Sequence, residues 1–372
     1  HPSHLRVATA PEAALRAELA GRLAARDYEA QLDTARRWKR DWHFRVGVHL
    51  LRGIITAEEA AAQYSALAGA CVGALWPAVC AQVAERHGVA PGRGGAVLGM
   101  GSLGAGEMNA GSDLDLIVIF DAGDVEMSEG RRPLDPRGWF AKATKTLITA
   151  LSAPTGEGKL YDVDLRLRPS GRQGPVATSL PAFVRYQAEE AWTWEHMALT
   201  RARVVAGDAE LARDVEAARC AVIAARAGDA SVCVDAAEMR RRLAEAGRAG
   251  GTWDVKNGPG GLQDIALCAQ AGALVAGASA HRVVDQITAA GLPKDLAAIH
   301  GRMAAVNQAA RLLSDGPLDP AAIGAGGRDF LARLLGMAET DAVKTQLDTD
   351  RALARSIVDK TLGPNESPED AP

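Results

Sequence analysis

The run from Leu98 to Phe120, LGMGSLGAGEMNAGSDLDLIVIF, constrains this chain more than any other stretch. It opens on a glycine-rich turn and closes on Asp113-Leu114-Asp115-Leu116-Ile117-Val118-Ile119-Phe120. In a strand, side chains alternate between faces. Asp113 and Asp115 then project together from one side, and Leu114, Leu116 and Val118 face the other. Two neighbouring carboxylates repel each other, so such a pair calls for a cation or for solvent. A donor set made only of oxygens suits Mg²⁺. A solvated strand end carrying two acids by chance has the same local pattern, so this run alone leaves both readings open.

A second run narrows the choice. Lys159 to Pro169, KLYDVDLRLRP, alternates more regularly than any other stretch. Tyr161, Val163, Leu165 and Leu167 share one face of the expected strand, and Asp162, Asp164, Arg166 and Arg168 share the other. Four charges on one narrow face contribute little to a core. Arginines beside carboxylates suit a site that holds both metal and phosphate, because a guanidinium group binds phosphate oxygens in bidentate fashion. Asp162, Asp164, Arg166 and Arg168 are therefore candidate site residues alongside Asp113 and Asp115.

The rest of the chain reads mostly as helix. Leu15, Leu19 and Leu23 have helical spacing. Thr34 to Leu51 predicts one helix with Trp38, Trp42 and Phe44 inside and basic residues outside. Thr56 and Glu59 form a capping-box pattern opening a helix to about Arg86, and Pro91 to Gly95 is a turn-rich boundary. Trp139 to Leu151 is a further expected helix. Ser179 to Thr200 is expected to be helical, with Trp192, Trp194 and Met197 in the core and His196 structural. Arg201 to Val205 reads as a short strand ending at Gly207-Asp208. Beyond Ala209 the pattern is that of a helical bundle, interrupted by Asp254 to Asp264, DVKNGPGGLQD. That interruption reads as a tight turn between helices, and its glycines with Lys256 also allow anion binding. The expected layout is a helical segment over 1–90, a catalytic domain over 91–208, a helical bundle over 209–362 and a disordered tail over 363–372.

Composition excludes some classes. Lys and Arg total 42 against 46 Asp and Glu, a formal charge of −4, which argues against a bulk nucleic-acid binder. Cys71, Cys80, Cys220, Cys233 and Cys268 form no CxxC pair and read as reduced cytosolic thiols. The most apolar stretch, around Ala68 to Ala84, contains Gly73 and Pro77, which are expected to break it as a membrane span. The N-terminus lacks a signal-peptide layout and a starting Met, so a cytoplasmic piece of a longer protein is expected.

A Gly101-Ser102 turn ahead of a DxD pair, with a third acid on a later strand, resembles the nucleotidyltransferase superfamily that includes the polymerase-beta palm. That resemblance implies an α+β fold with a mixed sheet and flanking helices, ATP as substrate and two Mg²⁺ ions held by Asp113, Asp115 and Asp164, with Gly101 and Ser102 contacting the phosphates, Arg166 and Arg168 steadying them and Asp162 as a neighbour. Four runs extend the match from about Arg36 to Gln270: GMGSLGAGEMNAGSDLDLIVIFD, KLYDVDLRLRPSGRQGPVATS, YQAEEAWTWEHMALTRARVVAGD and DVKNGPGGLQDI. They resemble the family of bifunctional bacterial enzymes that adenylylate glutamine synthetase. The family has two related transferase domains: one attaches AMP from ATP to a target tyrosine, the other removes it by phosphorolysis. Ala191 to His196, AWTWEH, is similar to the attaching, C-terminal domain. The resemblance implies glutamine synthetase as substrate and the PII signal protein as a regulatory partner. AMP removal, and a PII-binding module without turnover, are the competing expectations. The chain departs from the family at Ser102, where Lys or Arg is usual, and at Ala266, where the family has Glu.

Overall fold

The protein is described by a computed structural model covering residues 9–246, 251–314, 316 and 318–364. Helix α1, Glu12–Leu23, buries Leu15, Leu19 and Leu23 as its spacing predicts. Helix α2, Tyr28–Leu51, is N-capped by Asp27, whose Oδ1 accepts the Ala30 N–H at 2.8 Å. Trp38 and Trp42 point inward as expected, but Phe44 is 69% exposed. Arg36 departs from the basic outer face. It is buried, and its guanidinium donates to the carbonyls of Leu32, Ala150, Ala153 and Gly158 at 2.7–3.0 Å. A buried charge needs such complete pairing.

Helix α3, Ala57–His87, opens with the expected capping box: Thr56 Oγ1 accepts the Glu59 N–H at 3.1 Å, and Glu59 Oε2 accepts the Thr56 N–H at 2.8 Å. The helix runs through Gly73 and Pro77 as its expected extent to about Arg86 implies, but contrary to expectation these residues do not interrupt the apolar stretch, and by length and composition α3 passes for a membrane span. In this fold most of its apolar surface is covered by its neighbours. Gly69 and Gly73 have a structural reason for being there. A Cβ on either would run into Glu12 or Arg16 of α1, so the two glycines let α1 lie close against α3.

A mixed five-stranded sheet follows: β1 (Gly94–Gly99), β2 (Leu114–Asp121), β3 (Val163–Asp164), β4 (Ala177–Ser179) and β5 (Arg203–Gly207), ordered β3-β2-β1-β5 with β4 also on β2. β1 runs antiparallel to β2 and β5, while β3 and β4 run parallel to β2. Between β1 and β2 lies the five-residue helix α4, Gly101–Ala105. Helix α5, Pro136–Ser152, leads from β2 towards β3 and is N-capped by Asp135. β2 is buried on both faces, as a central strand demands. Leu114, Leu116, Val118 and Phe120 join the large core with α3 and α5. Ile117 and Ile119 join a second cluster with Phe183, Leu211 and Val215.

Two further expectations are corrected. The alternating run after Lys159 is a strand only at Val163–Asp164; Arg166 and Leu167 are already in a turn. The stretch Ser179 to Thr200 is two helices, α6 (Leu180–Glu189) and α7 (Thr193–Leu199). At the break Trp192 is 71% exposed and Trp194 37%, so neither is core, while Met197 is buried as expected. Glu195 holds the break: it accepts the Trp192 N–H at 3.0 Å and the Tyr186 hydroxyl at 3.0 Å. His196 is structural, its Nε2 lying 2.9 Å from the Gln187 carbonyl.

Helices α8 (Ala209–Ala225), α9 (Ser231–Ala246), α10 (Leu262–Val275), α11 (Val283–Ala289), α12 (Lys294–Leu313), α13 (Gly324–Leu334) and α14 (Thr340–Leu362) complete the chain. The architecture is α+β, a mixed sheet with flanking helices followed by a helical region. Most of the expected tail, from residue 365 on, lies outside the described residues.

Candidate active site

The site grows out of the β1–α4–β2 turn. Gly101 has a positive φ of 54°, which glycine adopts without strain. A Cβ there would collide with the Asp115 carboxylate. Below it, the Met100 N–H donates to the Asp115 carbonyl at 2.9 Å. Gly104 permits a second close approach, since a Cβ on it would strike the Arg201 carbonyl. The glycines thus let the backbone of α4 sit directly against the acid-bearing strand.

Between α4 and β2, the loop Met108–Ser112 is held from three helices. Ser65 Oγ of α3 accepts the Met108 N–H at 3.0 Å, and Gln308 Nε2 of α12 donates to the Met108 carbonyl at 2.7 Å. His43 Nε2 of α2 lies 2.9 Å from the Ala110 carbonyl. Asn109 and Ser112 close the loop on itself through the Asn109 N–H to Ser112 Oγ at 2.9 Å. Asp113 follows at once.

Asp113, Asp115 and Asp164 come near one another because β2 and β3 pair in parallel, Asp115 opposite Asp164. Burial pushes the Asp115 carboxyl up to about 6, helped by the charges of Asp113 and Asp164 and partly offset by Arg166 and Arg201. Asp164 goes the other way. Burial raises it, but bonds from the Arg166 side chain and N–H, and the Arg166 charge, outweigh burial and hold it below the usual carboxylate range. Its Oδ2 takes Arg166 Nε at 2.6 Å and Nη2 at 2.5 Å, and its Oδ1 takes the Arg166 N–H at 2.7 Å. Among the described residues no three His, Cys, Asp or Glu side chains converge into a ready-made metal cage. The donor chemistry still fits a divalent cation: crowded carboxylates, one of them raised by burial and by its neighbours' charge, are relieved by a positive ion.

Arg168 does not face a phosphate site. Its guanidinium donates to the carbonyls of Leu165, Arg172 and Gly174 at 2.8, 3.1 and 3.3 Å, holding the 165–174 loop together. Asp162, exposed, is ion-paired with Lys159 at 2.7 Å.

Asp113, Asp115 and Ser102 open onto a cleft of about 1150 Å³ between the sheet and the helical region, whose lining also includes Lys256, Ala266, His300 and Arg311 from the helical region. Asp164, Arg166 and Arg168 are not part of its lining. The Asp254–Asp264 interruption is a tight turn, as read. Asp264 is buried against Arg240 at 2.6 and 2.9 Å and accepts the Gly260 N–H at 2.7 Å. Ala266 therefore faces the cleft, while Asp264 serves the fold.

Sequence reasoning missed several cleft residues. Arg201 and Glu107 form a half-buried pair at 3.2 Å, and Glu107 also accepts the Val283 N–H at 3.1 Å. Arg203 pairs with Glu12 at 2.9 Å, and Arg282 pairs with Glu58. Arg201 and Arg203 lie in a motif already quoted for the resemblance. His300 and Arg311 lie in an Ala/Leu/Arg-rich helix whose pattern carries no sign of a site.

Comparison with known proteins agrees with the sequence resemblance. The family model described as glutamate-ammonia ligase adenylyltransferase matches residues 3–218. A protein of Xanthobacter autotrophicus is 41% identical over 368 residues, covering 94% of this chain and 37% of the relative. One of Agrobacterium fabrum is 41% identical over 324 residues, covering 83% of the chain and 33% of the relative. One of Rhizobium meliloti is 46% identical over 252 residues, covering 68% and 26%. Each is named a bifunctional glutamine synthetase adenylyltransferase/adenylyl-removing enzyme. The matches span between about a quarter and little more than a third of the length of these relatives. With the family model covering more than half of it, the chain belongs to the glutamate-ammonia ligase adenylyltransferase family.

Proposed function

We propose that this chain is a cytoplasmic nucleotidyltransferase that moves AMP from ATP to a tyrosine hydroxyl of glutamine synthetase, with release of pyrophosphate. The observation that carries this reading is the Asp113–Asp115 pair, set against Gly101 at the mouth of a cleft large enough for a nucleotide. In the reaction the tyrosine oxygen bonds to the α-phosphorus and the bond from that phosphorus to the bridging oxygen breaks. Pyrophosphate leaves with the electron pair, and the tyrosine proton is lost.

Asp113 and Asp115 would hold divalent cations, with Asp164 completing the set once it parts from Arg166. Mg²⁺, when bound, neutralises the triphosphate and the leaving group. Gly101 and Ser102 approach the phosphates, since Ser102 lines the cleft and glycine leaves the backbone uncovered. Lys256 supplies positive charge from the opposite wall. Arg166 keeps Asp164 ionised, which suits a ligand better than a proton acceptor. Arg168 serves by fixing the loop that carries Asp164 and Arg166. In this reading residues 91–208 form the catalytic unit, with helical segments before and after it, and the PII protein acts as a regulator.

The test is transfer of labelled AMP from ATP to purified glutamine synthetase, with and without Mg²⁺. Labelled protein that appears only with Mg²⁺ supports the proposal. Its absence at every metal concentration, with intact relatives active in parallel, would sink it. The relatives' names also carry adenylyl removal. That second reading predicts ADP when adenylylated glutamine synthetase is incubated with phosphate and this chain.

A further inference from the structure

The charged residues lining the cleft nearly all cancel in pairs. Glu12 holds Arg203, Glu58 holds Arg282 and Glu107 holds Arg201. Glu59 is engaged in the capping box with Thr56. What is left is two acids on the sheet side, Asp113 and Asp115, and two cations on the helical side, Lys256 and Arg311. Among the described residues neither cation makes an ion pair or a side-chain hydrogen bond. This leftover pattern is complementary to a metal–nucleotide complex, with its cation on one side and its phosphate oxygens on the other.

Arg311 is the better placed of the two. Its stem crosses the loop that delivers Asp113: Arg311 Cδ lies 3.6 Å from where a Cβ on Gly111 would sit. One turn back on α12, Gln308 ties the same helix to the same loop through the Met108 carbonyl at 2.7 Å. The helix is thus tied to the acid-bearing loop, and the stem of Arg311 lies against Gly111, two residues before Asp113 in sequence, while its exposed guanidinium is left available to a ligand. A guanidinium fork without a carboxylate partner is matched to phosphate oxygens.

We propose that Arg311, beside the loop that carries Asp113 and assisted by Lys256, binds the phosphate chain of the nucleotide. This rests on the nucleotidyltransferase reading and names a ligand for it that lies outside the catalytic sheet. Arg311 answers for the phosphates, not for the adenosine.

The experiment is equilibrium binding of ATP, adenosine and inorganic triphosphate to the full chain in Mg²⁺, for the wild type, Arg311→Met and Arg311→Lys. Methionine keeps an apolar stem over Gly111, and thermal melting checks that each variant is folded. Arg311→Met is expected to weaken ATP and triphosphate by about tenfold or more, leave adenosine within about twofold, and be partly rescued in Arg311→Lys. Unchanged ATP affinity in Arg311→Met overturns the proposal, as does an equal loss for ATP and adenosine. A wild type that binds neither ATP nor triphosphate overturns the nucleotidyltransferase reading itself.

Discussion

Two runs of this chain look alike in sequence and fold differently. Asp113 to Phe120 and Lys159 to Pro169 both alternate, both carry paired acids, and both read as strands that present charge on one face. The first becomes the eight-residue β2, paired along both edges; the second pairs only at Val163–Asp164. The reason lies in the sheet. One edge of β2 is taken by β1, and the other is shared: residues 114–115 go to β3 and residues 118–120 to β4. A longer β3 would have to displace β4. Asp164 also ends the ladder itself by accepting the next-but-one N–H, a local bond that competes with sheet pairing. Alternation states which face a residue prefers, but the length of a strand depends on how much free edge its neighbour offers.

The comparison can be broken most decisively at β2. Asp115→Asn is expected to lower AMP transfer by about a thousandfold or more, since it removes a central oxygen ligand, with an unchanged circular dichroism spectrum. Near-normal turnover would remove β2 from the chemistry. The next effect is on pH. The Asp115 carboxyl is raised from 3.8 to about 6 on folding. Its favourable neutral form is fully populated below pH 4, and stability is lost as pH rises through 6. The loss is about 3 kcal/mol in the metal-free protein. Added Mg²⁺ should therefore raise the melting temperature more at pH 7.5 than at pH 5. A larger gain at pH 5 would contradict the like-charge crowding.

Gly101→Ala sharpens the same side. It forces a positive φ on alanine and sets a methyl group against Asp115, so a loss of about 1–3 kcal/mol is expected, with transfer reduced too. Denaturant titration checks the first and the AMP-transfer assay the second. On the β3 side the effects should be smaller and structural. Arg168→Ala frees three carbonyls and is expected to cost about 1–2 kcal/mol of stability, while the KM for ATP stays within about twofold. A large rise in KM at unchanged stability would return Arg168 to phosphate binding and weaken the contrast between the two runs.

Much of this was legible from sequence because it depends on neighbours along the chain. The buried Leu114, Leu116 and Val118 of β2 follow from a period of two, and the start of α3 at Thr56–Glu59 follows from a four-residue motif. The inward Trp38 and Trp42 follow from helical spacing. Residue chemistry alone also marked the glycine turn at Gly101, where only a missing Cβ admits the carboxylate.

Tertiary structure decided what depends on who lies across the way. Gly73 and Pro77 looked like interruptions of a membrane-length apolar stretch, but Gly73 makes room for Arg16, and burial of the surrounding apolar residues outweighs the hydrogen bond that Pro77 cannot make. Arg36 looked like a surface arginine, and it is tied to the Ala150 and Ala153 carbonyls brought to it from another segment. Arg311 had no local mark at all; its place beside Asp113 exists only because α12 packs on the Met108–Ser112 loop. Local pattern sets what a residue can do, whereas long-range packing supplies the partners that determine which of those possibilities is lowest in free energy.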